Sequence, residues 1–311
     1  MNMKEKIVSS IIGLCVGDAL GVPVEFESRE TLQRNPVTDM RGYGTHNQPP
    51  GTWSDDTSMT LCLLDSLKNG LNYTDIMCKY LSWIEKAEYT PHGEVFDVGI
   101  TTRKALSRFA NGTEPLKCGG DSEYDNGNGS LMRILPLAFY LNSARTEYDD
   151  LFEITHNVSA LTHAHNRSKI ACGIYISVAV NLINRPENIK IGIYDGIKKA
   201  KEYYESKKEY ADETKHYGRI FNDKFISLPH EEIESDGYVV DTLEAAIWCL
   251  LNTDSYKSCV LKAVNLGEDT DTVAAVAGGL AGIYYGLDNI PVKWVNQIAR
   301  LDYIKDLCER L

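Results

Sequence analysis

The sequence predicts an all-α protein. Apolar residues recur at helical spacing in most segments, for example at Met59, Leu63, Leu64 and Leu67. Alternation of apolar and polar residues with a period of two, which would indicate strands, is scarce. In chain order, the predicted helices cover residues 4–20, 57–69, 74–87, 98–110, 130–142, 147–162, 166–184, 190–208, 240–252, 255–266, 271–286 and 292–300.

A single domain spanning residues 1–311 is the predicted organisation. The length of 311 residues allows one large domain or two smaller ones. Between about residues 185 and 236 the composition shifts to Lys, Glu and Tyr, which is typical of a solvated amphipathic helix followed by a loop. No internal repeat and no linker rich in Pro, Gly or Ser divides the sequence, so this segment is not interpreted as a separate domain.

Charge, hydropathy and cysteine content exclude several functional classes. With 32 basic and 44 acidic side chains, the net charge of −12 disfavours general nucleic-acid binding. The first apolar stretch contains Ser9 and Ser10 and ends at Asp18, so it predicts a buried helix rather than a leader, and no later segment suggests a membrane span. The eight cysteines lack a CxxC pairing, as expected of reduced core thiols in a cytoplasmic protein.

Two acidic clusters stand at the predicted starts of helices. They are "SDDT", residues 54–57, and "EDTDT", residues 268–272. One interpretation is capping, because Ser, Thr and Asp accept hydrogen bonds from the unpaired N–H groups of a first helical turn. Capping requires only one such residue per helix. The surplus carboxylates therefore call for a second interpretation.

The second interpretation is that the two clusters form one metal site. Without cations, four converging carboxylates would repel one another and their pKa values would rise. Oxygen ligands with no Cys or His favour Mg²⁺, Mn²⁺ or Ca²⁺ over Zn²⁺, and a charge of −4 suits two such ions. The carboxylates concerned belong to Asp55, Asp56, Asp269 and Asp271.

The other polar segments are individually weak signals. Glu25 lies where the chain leaves the first helix and, taken alone, is typical of a surface carboxylate. The glycine-rich segment 125–130 resembles an anion-binding turn but matches no nucleotide motif. His163 and His165 are badly spaced for a joint zinc site and favour capping or buried roles. The ring of Tyr238 suits either stacking on a base or packing.

Seven segments, taken together and in order, resemble the ADP-ribosylglycohydrolase family over nearly the whole chain. The resemblance implies a compact all-α fold with two divalent cations, Mg²⁺ or Mn²⁺, at the bottom of a cleft for ADP-ribose. It also implies hydrolysis at C1 of the distal ribose. The segments are "GLCVGDALGVPVEF", "SDDTSMTL", "VGITTRKAL", "NGNGSLMRILPLA", "LTHAH", "GYVVDTLEAAIW" and "NLGEDTDTVAAVAGGLAGIYYG".

The same resemblance implies roles for individual residues. Glu25 or Asp125 would transfer the proton, and the sequence does not choose between them. The metal ligands would be Ser54, Asp55, Asp56, Asp269, Asp271 and Thr272. The residues contacting substrate would be Gly99, Gly127, Asn128, Gly129, Ser130, His163 and Tyr238.

The substrate implied by the resemblance is an ADP-ribosylated protein, or a small-molecule or nucleic-acid adduct, with the arginine linkage slightly favoured. ADP-ribose is the product, no membrane is involved, and a monomer is implied. Segment 200–236 is variable in the family and is expected to border the opening through which the modified partner enters. Two other functions stay open: a two-metal phosphoesterase acting on a nucleotide, and a non-catalytic binder of ADP-ribose.

Overall fold

The computed structural model describes residues 1–184 and 187–311. Over these two ranges the chain forms fifteen α-helices and no β-strand, so the predicted all-α fold class is confirmed. The helices are α1 Met3–Gly21, α2 Arg29–Arg34, α3 Asp55–Leu67, α4 Tyr73–Lys86, α5 Ile100–Ala110, α6 Pro136–Ser143, α7 Tyr148–Ala160, α8 Asn166–Asn184, α9 Ile189–Ser206, α10 Ala211–Thr214, α11 Val239–Leu251, α12 Tyr256–Val264, α13 Thr270–Tyr285, α14 Val292–Gln297 and α15 Leu301–Cys308.

Two features of the helix prediction were wrong. The helix expected over 130–142 begins only at Pro136, because proline suits the first turn of a helix and the preceding glycine-rich segment forms tight turns. Helices α2, α10 and α15 were missed, because four to eight residues carry too short an apolar pattern to detect.

The segment with the shifted composition contains the predicted amphipathic helix, α9, followed by short helical turns. One face of α9 is buried by Ile193, Ile197 and Ala200 against the core. A Cβ at Gly196 would lie 2.6 Å from Cα of Val178 in α8, so the two helices pack closely. The segment is thus part of the same hydrophobic core as the rest of the described chain.

Helices α1 and α13 form the centre of that core and touch through small residues. Cβ atoms built on Gly13, Gly17 and Gly21 of α1 would meet the backbone of α13. At Gly21 the obstructing atoms belong to Asp271, so the close approach places the start of α13 beside the end of α1. The packing of two small-residue faces therefore fixes the position of one acidic cluster.

Helix α1 is long and apolar enough to cross a membrane by length and composition alone, with a mean hydropathy of 1.9 over its most apolar stretch. In the fold, 94% of that stretch is buried. Its apolarity is explained by its central place in the core, which agrees with the predicted buried first helix.

We expect Gly17→Ala to lower the free energy of unfolding by about 2 kcal/mol, because the added methyl group overlaps the backbone of Ala274 and Ala275. Urea unfolding followed by circular dichroism measures the change. The matched control is Gly218→Ala, at an exposed position, which we expect to stay within about 0.5 kcal/mol of wild type. Equal stability of the two variants would contradict this account of the α1–α13 contact.

A carboxylate-lined candidate active site

The candidate site is a cleft of about 300 Å³ where the N-terminal ends of α3, α5, α11 and α13 meet next to the chain that follows α1. The positive ends of four helix dipoles thus point toward one place, which favours negative charge there. Residues lining it include Glu25, Asp55, Asp97, Gly99, Gly127, Asn128, Gly129, His163, Gly237, Asp269 and Thr272. A larger hollow of about 720 Å³ near the N-terminus brings together far fewer reactive groups.

The first acidic cluster is held in place by a carboxylate from another helix. The carboxylate of Asp18 in α1 accepts hydrogen bonds from the backbone N–H of Ser54 at 2.9 Å, the N–H of Thr57 at 3.1 Å and the hydroxyl of Thr57 at 2.6 Å. The Ser54 hydroxyl accepts from the N–H of Asp56. Ser54 and Asp18 therefore cap α3, and the carboxylates of Asp55 and Asp56 are not needed for capping.

The second cluster meets the first. Asp269 caps α13 by accepting from the N–H of Thr272 at 3.3 Å, and Asp271 Oδ1 accepts from the same N–H at 2.8 Å. The Thr272 hydroxyl lies 3.4 Å from Asp56 Oδ1, where it donates across the gap between the two clusters. Asn128 Nδ2 donates to Asp269 Oδ2 at 2.8 Å. Two segments more than 200 residues apart thus form one acidic site.

The donor set fits divalent cations. Asp56 Oδ2 and Asp271 Oδ2 are buried and have no hydrogen-bond partner anywhere in residues 1–184 or 187–311. Buried carboxylate oxygens are normally paired, so two unpartnered ones in the same site are a donor set that could hold a cation. Glu25, Asp269 and Asp271 each place an oxygen within 4.8 Å of the other two, a separation suited to a shared ion.

Burial and mutual repulsion shift the pKa values of the site carboxyl groups. Burial raises the pKa of Asp55, Asp56 and Asp271 well above the usual range, and neighbouring carboxylates raise it further. The pKa of Asp18 rises to about 6 because the cost of burial exceeds the benefit of its hydrogen bonds from Thr57 and Ser54. Negative charge in the metal-free site is therefore unfavourable.

We expect the metal-free protein to become less stable as the pH rises from about 6.5 to 8. A carboxyl group whose pKa is raised by folding still binds a proton in the folded state after the unfolded chain has released its own, so raising the pH favours unfolding. His156, His163 and His216, whose pKa is lowered by burial, oppose this trend near pH 6.5, because the unfolded chain still binds protons there. They are outnumbered by the eight carboxyl groups whose pKa is raised by burial. Measuring the Tm in EDTA at pH 6.5 and at pH 8 tests whether stability falls as the pH rises.

Adding Mn²⁺ is expected to raise the Tm more at pH 8 than at pH 6.5, because fewer protons then compete with the cation for the site carboxylates. The double variant Asp55→Asn with Asp56→Asn serves as the control and should show a smaller dependence on both pH and Mn²⁺. If the metal-free wild-type protein were more stable at pH 8 than at pH 6.5, the repulsion assigned to the buried carboxylates of the site would be contradicted.

Sequence reasoning missed two neighbours of Glu25. Asp97 and His46 each place a potential ligand atom within 4.8 Å of the Glu25 carboxylate, and His46 Nε2 hydrogen-bonds to it. The Thr45 hydroxyl donates to the Glu25 carbonyl oxygen at 2.7 Å. The turn over 43–48 therefore holds both the backbone and the side chain of Glu25. The motif "DVG" before α5 is a carboxylate at a helix entry and could have indicated Asp97, whereas His46 has no local signal.

The two carboxyl groups proposed for proton transfer lie in different surroundings. Glu25 lines the cleft, and burial raises its pKa to about 7. Asp125 is half-buried and accepts from the Ser122 N–H at 3.2 Å and from the Thr101 hydroxyl at 3.2 Å, and such hydrogen bonds hold its pKa below the usual value. The side chain of Asp125 thus braces the start of α5, while Glu25 faces the site.

The glycine-rich turn forms one wall of the cleft beside His163. A Cβ at Gly129 would lie 2.9 Å from His163 Cε1 and 3.0 Å from the Thr102 hydroxyl, so only glycine leaves this space open. His163 Nδ1 lies 2.8 Å from the Thr162 hydroxyl, and burial lowers the pKa of His163 to about 3, so the imidazole is neutral. Arg133 braces the turn by donating to the Gly129 carbonyl.

Two residues predicted to contact substrate lie apart from the cleft wall. Ser130 is fully buried, and its hydroxyl accepts from Ser159 at 2.9 Å, so it points into the core. The Tyr238 ring lies 5.7 Å from the Arg167 guanidinium, and only its neighbour Gly237 lines the cleft. Gly99, at the start of α5, is exposed and lines the cleft as expected.

The fold and the site together define a class, an all-α hydrolase whose acidic cleft lies beside a glycine-rich turn. The profile of the ADP-ribosylglycohydrolase family matches residues 1–311. ADP-ribosylarginine hydrolase Tri1 of Serratia proteamaculans is 33% identical over 99% of this chain and 79% of the relative. The ADP-ribosyl-(dinitrogen reductase) glycohydrolase of Rhodospirillum rubrum is 32% identical over 96% of this chain and 91% of that protein.

A solved structure agrees with these relatives. It is described as an ADP-ribosylglycohydrolase-related protein complex and matches with a TM-score of 0.79 and 31% identity, over 99% of this chain and 97% of the other. The chain belongs to the ADP-ribosylglycohydrolase family, and the predicted resemblance is confirmed. The enzyme class is confirmed with it: a hydrolase that removes ADP-ribose from a modified acceptor.

Proposed function

We propose that this protein hydrolyses the bond between ADP-ribose and an arginine side chain of a modified protein, with two divalent cations, Mg²⁺ or Mn²⁺, in its acidic site. The observation that carries the proposal is the pair of buried, unpartnered carboxylate oxygens of Asp56 and Asp271, which belong to the same acidic clusters as the cleft-lining residues Asp55, Asp269 and Thr272. The relative named as an arginine hydrolase supports the choice of linkage.

The proposed metal ligands come from both acidic clusters. When bound, the cations would supply Lewis acidity and neutralise the excess negative charge of the site. The second-cluster ligands are oriented by the capping of α13 and by the amide of Asn128. The full proposed set is Ser54, Asp55, Asp56, Asp269, Asp271 and Thr272.

Glu25 is the proposed proton-transfer group, in preference to Asp125. A pKa of about 7 allows Glu25 to accept a proton from the attacking water and return it at neutral pH, whereas the lowered pKa of Asp125 makes it a poor base. In the reaction, the bond between C1 and the arginine nitrogen breaks, and a bond from C1 to the water oxygen forms. The proton taken by Glu25 passes to the departing guanidine.

The proposed substrate site extends from the metal ligands along the glycine-rich turn. Gly127 and Gly129 leave room for the diphosphate to approach the backbone, and the neutral His163 can donate a hydrogen bond to it. Asn128 and Gly99 border the ribose region of the same cleft. Ser130 and Tyr238 would act by shaping this wall rather than by direct contact.

The proposed setting is a monomeric, cytoplasmic enzyme made of one domain over residues 1–311. All eight cysteines are free and seven of them are buried, which suits a reducing compartment. Size-exclusion chromatography with light scattering tests the oligomeric state.

The decisive experiment incubates the purified protein with ADP-ribose linked to arginine, to serine and to nucleic acid, in Mg²⁺, Mn²⁺ or EDTA. We expect release of free ADP-ribose from the arginine linkage, and no release in EDTA. Release of AMP or inorganic phosphate would instead support the phosphoesterase, and tight binding of ADP-ribose without turnover on any linkage would support the binder.

A further inference from the structure

A group of apolar side chains is exposed at one side of the cleft. Phe26 is 65% exposed and Ile100 is 73% exposed, and both line the cleft at its mouth. The ring of His46 lies between two aromatic rings, 6.2 Å from Phe26 and 5.2 Å from Phe96. We call the exposed Phe26 and Ile100, together with the half-buried His46 and Phe96, the rim patch. Exposed aromatic and aliphatic side chains grouped at a cleft commonly mark a binding surface.

The backbone holds Phe26 outward at an energetic cost. Its φ of 66° lies in the left-handed region, which is unfavourable for an aromatic residue. The Phe26 N–H donates to the Glu268 carbonyl at 2.7 Å, and the Glu268 N–H donates to the Glu27 carbonyl at 2.8 Å. These reciprocal bonds connect the rim patch to the second acidic cluster. Core packing does not account for this conformation, because the ring remains in solvent.

The rim patch adjoins residues of the cleft that the proposed function uses. Phe26 follows the proposed proton-transfer group Glu25, and Ile100 follows Gly99 at the start of α5. On the proposed function, on which this inference rests, the scissile bond lies at Glu25 and the acidic clusters. The group attached beyond that bond must therefore pass the rim patch.

The charge around the rim patch suits a cationic acceptor. No Lys or Arg lines the cleft in the part of the chain that the structure describes, whereas Glu25, Asp55, Asp97 and Asp269 do. Glu94, shortly before Phe96, is exposed. The surface therefore combines apolar contact with negative charge, which complements a protein segment that carries guanidinium groups.

We propose that the rim patch is a docking surface for the acceptor protein, which presents an apolar side chain next to the modified arginine. An acceptor that lacks a protein surface would make fewer contacts with the rim patch, because only Phe26 and Ile100 of its four residues line the cleft.

The test compares two substrates in Mn²⁺: arginine-ADP-ribosylated dinitrogenase reductase, and ADP-ribosylarginine as the small molecule. For Phe26→Ser and Ile100→Ser we expect kcat/KM on the protein to fall about 10-fold, mainly through KM, and by at least about 5-fold more than kcat/KM on the small molecule. Ile100→Ser keeps the proposal testable if Phe26→Ser disturbs the adjacent Glu25. The control is Val292→Ser, 72% exposed and outside the cleft, which should leave both rates unchanged.

The proposal would be overturned by an equal loss on both substrates, by no loss on either, or by a wild-type enzyme that cleaves only the small molecule. Failure of the proposed function looks different: the wild-type protein would then release ADP-ribose from neither substrate.

Discussion

Asp271→Asn is expected to reduce kcat by at least about 1,000-fold, equivalent to about 4 kcal/mol of transition-state stabilisation, and to weaken Mn²⁺ binding. The substitution nearly preserves shape, so the loss comes from the charge and from the buried Oδ2 that has no partner within the described chain. Turnover of arginine-linked ADP-ribose and Mn²⁺ titration by calorimetry measure the two effects.

The same variant should leave the metal-free protein at least as stable as wild type, because it removes one of several mutually repelling carboxylates. Asp288→Asn, at an exposed position beyond the C-terminal end of α13, is the matched control and should change neither activity nor Mn²⁺ affinity. Wild-type turnover in Asp271→Asn, or in wild-type protein stripped by a chelator, would refute the metal site.

Asp18→Ala is expected to lower the free energy of unfolding by about 3 kcal/mol and to reduce activity strongly. The change leaves three buried donors at the start of α3, two N–H groups and the Thr57 hydroxyl, without their acceptor. Because these donors orient the first acidic cluster, Mn²⁺ affinity should fall as well. Urea unfolding and metal titration on the same preparation measure both effects.

Asp18→Asn retains one acceptor oxygen and should lose less stability than the alanine variant. Asp306→Ala, on the exposed surface of α15, controls for removal of a helical carboxylate and should behave like wild type. If Asp18→Ala kept wild-type stability and Mn²⁺ affinity, the assignment of Asp18 as the residue that positions the first cluster would be wrong.

Much of the site could be predicted because several of its residues stand in recognisable short sequence patterns. Adjacent carboxylates at a helix start, such as Asp55 and Asp56, exceed what capping needs, and the surplus is visible without a structure. Asp97 also stands at a helix entry, but it is a single carboxylate there, and only its distance from Glu25 shows that it belongs to the site. His46 lies in a turn, and no sequence periodicity predicts its hydrogen bond to Glu25.

The roles of Glu25 and Asp125 also could not be predicted from local sequence and become distinct only in the fold. Both are single carboxylates near glycine in the sequence, and nothing local separates them. In the fold, Asp125 receives hydrogen bonds that favour its charge, whereas Glu25 is buried among other carboxylates, which favours its protonated form. The environment that distinguishes an acid from a base is assembled from several helices.

By itself, the sequence determined the helical class, most helix positions, the family and the two acidic clusters, because periodicity, capping and motif order are properties of neighbouring residues. Only the tertiary structure decided that Asp56 and Thr272 meet, that Asp18 supports the first cluster, and that Phe26 faces solvent. The physical reason is the close contact of α1 and α13, where glycines let two backbones approach and bring distant carboxylates to one end of the core.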